Sequence, residues 1–327
     1  MTHTTRHTRR AAGAAAVILA AGLLAACGSS TQSTSPTTAS SSSADPSSDK
    51  LAQVKARGTL VLSTDLGYAP QSYEVKGSQR NQDTKCAANQ LTGNQVTGYD
   101  VETGKAVALK LGVEPCFVTP SWSEVTAGGW SDRWDASWGS GAITAERMTR
   151  LWVTQPAYST PNVVFVAADS PIASLADLNG KTVGACTGCT MEQYLRGTLV
   201  LPGVETTRAF TPKIATYDNE VPGLQAVAKG QIDAFLCSEP VGQGQIKAGL
   251  KLRELTPEAY QSYKTGYVDR ASGLSSAAFV AAIDKAIADL HADGTLKGLS
   301  MQFFGTDYAA AAARAAGVLD SPRSAAT

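Results

Sequence analysis

Leu175-Ala176-Asp177-Leu178-Asn179-Gly180-Lys181-Thr182-Val183-Gly184 runs into a short strand pattern, Thr182 to Ala185, and the alternation that continues from it decides the fold class. A helix begins near Thr190 and a strand spans Ile214 to Tyr217. Val221 to Lys229 is helical and stops at Gly230, and Ile232-Asp233-Ala234-Phe235 is strand again. Working outward, Val163 to Val166 is a strand before the decapeptide. Earlier still lie Thr59 to Ser63, Cys116-Phe117-Val118 and Asp135 to Trp138. The span Tyr99 to Leu111 is helical, with Val101, Ala108 and Leu109 on one side and Gly112 as its stop. A long helix from Ser275 or Ser276 buries Phe279, Ile283, Ile287 and Leu290 and ends at Gly294. Alternation at this spacing argues for α/β layers with largely parallel sheets. There is no internal repeat.

The chain has 327 residues, 28 basic and 28 acidic side chains, and 43% apolar residues, enough for a sizeable core and a prior for two lobes. The neutral balance gives no electrostatic reason to expect nucleic acid. His3 and His7 lie at the N-terminus, so only His291 is left for the body. That excludes a multi-histidine metal site, and neither metal nor cofactor is expected.

Arg6, Arg9 and Arg10 precede an apolar run, Ala11 to Ala26, that ends at Cys27. A basic start, a short apolar middle and small residues at the end are the features of a secretion signal. The run is too short to span ~30 Å of hydrocarbon as a helix. Leu24-Ala25-Ala26-Cys27 resembles a bacterial lipobox, so residues 1–26 are expected to be a signal peptide and Cys27 the lipidated first residue. Its removal takes three arginines and leaves 25 basic against 28 acidic groups, a net charge of −3. Between Ser29 and Ser48, 14 of 20 residues are Ser or Thr. Such a segment cannot offset its ordering entropy by burial and reads as a flexible tether, within a linker spanning residues 27–50.

The landmarks of the body come in a recognisable order. Leu60-Val61-Leu62-Ser63-Thr64-Asp65 and Tyr68-Ala69-Pro70 come first, then Thr97-Gly98-Tyr99-Asp100-Val101. Next are Ala142-Ile143-Thr144-Ala145-Glu146-Arg147 and Gln155-Pro156-Ala157-Tyr158, followed by the decapeptide. Ala228-Lys229-Gly230-Gln231-Ile232-Asp233-Ala234 and Ala292-Asp293-Gly294-Thr295 close the series. No single string is specific, but together they resemble the amino-acid-type bacterial extracellular solute-binding proteins, family 3. The resemblance implies an α/β, two-lobed type II periplasmic-binding-protein fold with two hinge crossings, near Ser159 to Val164 and Thr265 to Val268. Residues 51–160 would form the first part of lobe 1, 161–265 lobe 2, and 266–327 the C-terminal part of lobe 1.

The family's ligands sit between the lobes, where a small zwitterion loses its water and needs fixed partners. Arg147 matches the arginine that grips the ligand carboxylate, a task suited to its planar fork. The plainer alternative is an exposed arginine after a strand. Gly188-Cys189-Thr190 matches a turn whose free amides and helix N-terminus favour the same anion, though Thr190 can equally be an ordinary cap. Tyr68 and Trp122 match the aromatic sandwich, while Trp130, Trp134 and Trp138 are expected to pack the core. Asp65 matches a carboxylate that reaches basic ligand side chains in cation-binding relatives, or is bonded to its own turn. Ser140 completes the expected ligand set. Two positions depart from the pattern. Ser238 stands where the family places an aspartate for the ligand ammonium, with Glu239 the nearest substitute, and Ala142 replaces a Ser or Thr.

Five cysteines come after Cys27, and outside the cytoplasm bridges are expected, with one thiol left over. The first pairing expected is Cys86 with Cys116, pinning the polar insertion Lys76 to Gln95. Cys186-Thr187-Gly188-Cys189 is a C-x-x-C that alone suggests redox chemistry or half a metal site. The structural alternative joins Cys186 or Cys189 to Cys237. The function these features imply is a monomeric, lipid-anchored receptor on the outer face of the cell membrane. It would pass a small carboxylated solute to an ABC permease without making or breaking bonds. The rivals are a cleft enzyme resembling cyclohexadienyl dehydratases, which would need a proton-transferring group such as Glu239, and a C-x-x-C redox or sensory lipoprotein.

Overall fold

Asp49 accepts a hydrogen bond from the Ala52 amide and Gly58 closes the last turn in the left-handed region, so a short helix, Lys50–Arg57, stands before the first strand. The computed structural model describes residues 44–315. The signal peptide, Cys27 and most of the Ser/Thr tether lie outside the described residues. The body begins earlier than residue 51, because Lys50 is part of it. Its side chain is 2% exposed, with the ammonium 2.9 Å from Asp132 and 3.1 Å from Asp135. A buried ammonium persists only with such fixed acceptors.

Each lobe is built on a parallel trio of strands. In the first, Thr59–Ser63 lies between Glu114–Val118 and Ala136–Ala142. In the second, Thr182–Cys186 lies between Lys213–Tyr217 and Ala234–Ser238. Two long antiparallel strands, Tyr158–Ala167 and Tyr260–Asp269, pair with each other from Tyr158↔Lys264 to Asn162↔Tyr260 and link the trios into one sheet. The segments expected to cross between lobes lie within these two strands.

Packing obeys the periodicities. Phe279, Ile283, Ile287 and Leu290 of the late helix Ala277–Ala292 join Leu60, Leu62, Val107 and Phe117, so the C-terminal helices return to the first lobe. In the second lobe alternate residues of one strand serve opposite faces. Ala234 and Leu236 pack with Val183 and Ala185, while Phe235 and Cys237 pack with Val163, Phe165 and Leu224. Trp130, Trp134 and Trp138 are buried as expected. Leu109 corrects the reading of helix Tyr99–Lys110, because it is 78% exposed. The buried stripe runs instead through Tyr99, Thr103, Val107 and Ala108, and Leu109 lies outside it. The expected strand at Ile232 starts two residues later, at Ala234.

The Cys86–Cys116 bridge is present, with Cα atoms 5.5 Å apart. It pins the insertion to a core strand, helped by Arg80, which donates to the Cys86, Ala87 and Gln90 carbonyls. Cross-linking residues 30 apart restricts the unfolded chain by about 3–4 kcal/mol. Urea denaturation of Cys86→Ser should show a loss of that order, and a loss under ~1 kcal/mol would mean the bridge contributes little. The second bridge corrects the expectation for Cys237. Cys186 joins Cys189, with Cα atoms 5.5 Å apart, and Cys237 is a buried free thiol. The reason is packing: Cys186 belongs to the cluster with Met191 and Tyr194, whereas Cys237 faces Phe165 and Leu224 in the other.

Candidate interlobe binding site

Side chains at or just past strand C-terminal ends in both lobes meet around one cavity, the usual place for a ligand in open α/β sheets. It holds about 530 Å³ of non-atom space, its open mouth included. The first lobe supplies Asp65, Tyr68, Trp122, Ser140, Ala142 and Arg147. The second supplies Cys186, Cys189, Thr190, Met191 and the run Asp218-Asn219-Glu220. Lys264 comes from a crossing strand. Seven of the nine side chains expected to touch ligand thus share one wall.

Arg147 is held rather than exposed. Thr144 caps the short helix Ala145–Met148 by accepting from the Arg147 amide at 3.1 Å, which turns the side chain inward. The residue is 4% exposed. Its Nη1 donates to the Ala142 carbonyl at 3.2 Å and the Tyr267 hydroxyl at 3.1 Å, and the guanidinium lies 5.2 Å from the Trp122 ring centre. Its Nη2 donates across the cleft to the Gly188 carbonyl at 3.2 Å. The guanidinium therefore latches one lobe to the turn of the other.

That turn is less bare than expected. The Gly188 amide donates to Glu192 at 2.8 Å, and Thr190 Oγ1 accepts from the Tyr260 hydroxyl at 3.0 Å. What remains is the start of helix Thr190–Arg196, whose N-cap, Cys189, makes no side-chain cap. Asp65 satisfies both of its readings, since it accepts from the Gly67 amide at 2.8 Å and also lines the cavity. Ser140 adopts φ 57° and donates to Asp100 behind it. Burial pushes the Asp100 carboxyl up to about 7, against the pull of the Ser140 and Tyr158 hydroxyls and Lys264.

Ser238 and Glu239 are not in the wall. Ser238 is fully buried against Thr160, 3.2 Å between hydroxyls. Glu239 opens the next helix, Glu239–Lys247, and faces Tyr308. Ser238 ends its strand against Thr160 and Glu239 begins the helix that follows, so neither side chain reaches the cleft.

Asp65 is half-buried and Asp218 exposed, so the buried carboxylate of the wall is Glu220, at the start of helix Glu220–Ala228, and it is 1% exposed. Tyr68 donates to its Oε1 at 3.1 Å from the other lobe. Lys264 is equally buried. Burial pushes the Glu220 carboxyl up and the Lys264 ammonium down, and each charge partly restores the other. Sequence reasoning missed both. The signals were a polar Asp218-Asn219-Glu220 run directly after a parallel strand, and a lysine inside the otherwise enclosed strand Tyr260–Asp269.

A buried guanidinium from one lobe and a buried carboxylate from the other line a single cavity, an arrangement that suits receptors enclosing a small charged solute. The particular family emerges from comparison. Residues 86–306 match the model of the bacterial extracellular solute-binding proteins, family 3, and the chain belongs to that family. It is 28% identical over 260 residues to the L-cystine-binding protein TcyJ of Escherichia coli (strain K12), covering 79% of this chain and 86% of that protein. It is 30% identical over 221 residues to the L-arginine-binding protein of Pseudomonas aeruginosa, covering 65% and 81%. Among solved structures, the substrate-binding protein AbpA of Streptococcus pneumoniae bound to L-arginine matches with a TM-score of 0.62 at 24% identity, covering 78% of this chain and 98% of that one. An ancestral amino acid-binding protein, AncCDT-1, described as a precursor of cyclohexadienyl dehydratase, matches at 0.62 with 23% identity, covering 78% and 99%. These two share the fold. The relatives place the chain among extracytoplasmic solute-binding proteins. Among the described residues no helix is long and apolar enough to cross a membrane.

Proposed function

We propose that this protein captures an amino acid or a closely related carboxylated solute between its lobes and hands it to an ABC importer, tethered to the membrane through a lipidated Cys27. One observation carries the reading: Arg147 is 4% exposed, lines the cavity and bridges to Gly188 of the opposite lobe. A guanidinium so placed can grip a carboxylate with parallel hydrogen bonds, and the grip strengthens as closure removes water. Relatives named for L-cystine and L-arginine support a ligand of this kind.

A cleft enzyme is the second reading, because Glu220 is a buried carboxyl held toward its protonated form, as a proton donor needs to be. Isothermal calorimetry of the described body against the twenty L-amino acids, L-cystine and a set of organic acids separates the two. The receptor reading expects one tight ligand recovered unchanged. A changed product would favour the enzyme, and dithiothreitol-dependent turnover would favour redox use of the Cys186–Cys189 bridge. Absence of binding across the panel would overturn the receptor reading.

A further inference from the structure

We infer that the ligand is a zwitterion whose headgroup is held by Lys264 and Glu220 together with Arg147, and not by the residue at position 238. This rests on the receptor reading and names which groups the solute must carry.

The carboxylate half comes from strand register. Lys264 pairs with Ala142 across the sheet, and the Arg147 guanidinium is fixed by the Ala142 carbonyl at 3.2 Å. Two cations thus converge on one residue of the wall, both nearly out of solvent. Among the described residues no acid is in direct ion-pair contact with the Lys264 ammonium, and Glu220 and Asp100 support its charge only from a distance, against burial and Arg147. Two desolvated like charges lining one cavity are unfavourable, and an anion in direct contact with both relieves them more than acids held at a distance. A single carboxylate meets that need, accepting the guanidinium fork on one side and the ammonium on the other.

The ammonium half comes from orphaned acceptors. Glu220 Oε1 is taken by Tyr68, but Glu220 Oε2 is buried without a hydrogen-bond partner. The adjoining Asn219 Oδ1 is also buried and unpartnered, and both residues line the cavity. Buried acceptors left unpaired carry a desolvation penalty that a ligand donor removes. Two neighbouring acceptors, one of them a carboxylate, ask for a donor with several N–H bonds and a positive charge. A protonated amine fits, and a neutral hydroxyl would leave the carboxylate uncompensated.

Of the other carboxylates in the lining, Asp65 is tied to the Gly67 amide and Asp218 is exposed to solvent, which leaves Glu220 as the buried one. Arg147 and Lys264 face the ligand carboxylate, Glu220 faces its ammonium, and Asp100 stays bonded to Ser140 behind the wall. This arrangement also accounts for the serine at 238. With the carboxylate supplied by the next element in the wall, Ser238 is free to pack against Thr160.

The test compares matched probes on the whole protein: the tightest L-amino acid of the calorimetry panel, its α-deamino acid and its decarboxylated amine. Glu220→Gln keeps the shape and the Tyr68 contact but removes the charge. It should weaken the amino acid by about 100-fold while changing the deamino acid by less than about 3-fold. Lys264→Met should weaken both acids by about tenfold or more and leave the amine nearly unchanged. Equal losses for all probes would mark both residues as structural and overturn the inference. So would an unchanged amino-acid affinity in either variant, or wild-type protein that binds the deamino acid as tightly as the amino acid. If wild-type protein binds no probe, the receptor reading itself fails, and this inference with it.

Discussion

Replacing Arg147 by methionine is expected to weaken ligand binding by about 2–5 kcal/mol, or roughly 30- to several-thousand-fold in Kd. Methionine has similar length and suits an enclosed, partly apolar site, so the change removes charge and donors more than volume. The ligand carboxylate would then be desolvated against Trp122 with one of its two cations gone. The latch to Gly188 disappears with the guanidinium, so closure is less favoured as well. Fold stability should fall far less. The Ala142 carbonyl keeps its bond from the Tyr267 hydroxyl, and Gly188 is exposed enough for its carbonyl to regain water. Calorimetry with the panel's tightest ligand, paired with thermal melts of the free protein, distinguishes the two effects. Unchanged affinity would place the ligand somewhere other than this cavity.

Gly98→Ala should lower fold stability by about 3 kcal/mol or more. Gly98 has φ 120°, a region that L residues avoid. A methyl group there would sit 2.3 Å from the Gln71 carbonyl oxygen and 2.8 Å from the Ser72 amide nitrogen. Those obstacles are backbone atoms and cannot rotate away. The same stretch of backbone also holds the first turn of the next helix, since the Asp100 amide donates to Gln71 O at 2.9 Å and the Tyr99 amide to Pro70 O at 3.2 Å. The alanine would therefore separate the start of helix Tyr99–Lys110 from the segment that carries Tyr68. Binding should weaken together with stability, because Tyr68 and Ser140 are positioned from that junction. Guanidinium denaturation measures the first effect. A midpoint within error of wild type would show that the loop gives way at little cost.

The two positions differ in how legible they were. Gly98 could be read as part of a motif, but the need for glycine comes from the Gln71 carbonyl, which lies 27 positions earlier and touches it only after folding. Arg147 was expected in the cleft from the family resemblance, and its inward turn is local, because its cap, its helix and the strand before it are all within a few residues. Trp122 was separable from its buried neighbours, and Cys86 from the C-x-x-C, through the same resemblance. Position 238 was also legible as a departure, since a serine cannot do what a carboxylate does. Where the compensating charge lay was not. Glu239 was the nearest acid in sequence, yet it opens the next helix, where its carboxylate meets Tyr308.

The order of strands and helices and the family were determined by the sequence alone, while Arg147 was expected from the family resemblance and the Cys86–Cys116 bridge was one pairing among several. The first depends on periodicity and capping between near neighbours and the second on landmarks in a fixed order, and both survive being read along a line. The convergence of Glu220 and Lys264, the closure of Cys186 on Cys189, and the solitary Cys237 were decided by the tertiary structure. The physical reason is desolvation. Whether a charge or a thiol has a partner depends on which distant groups share its pocket after water has left, and the packing of strands and helices in the folded chain sets that.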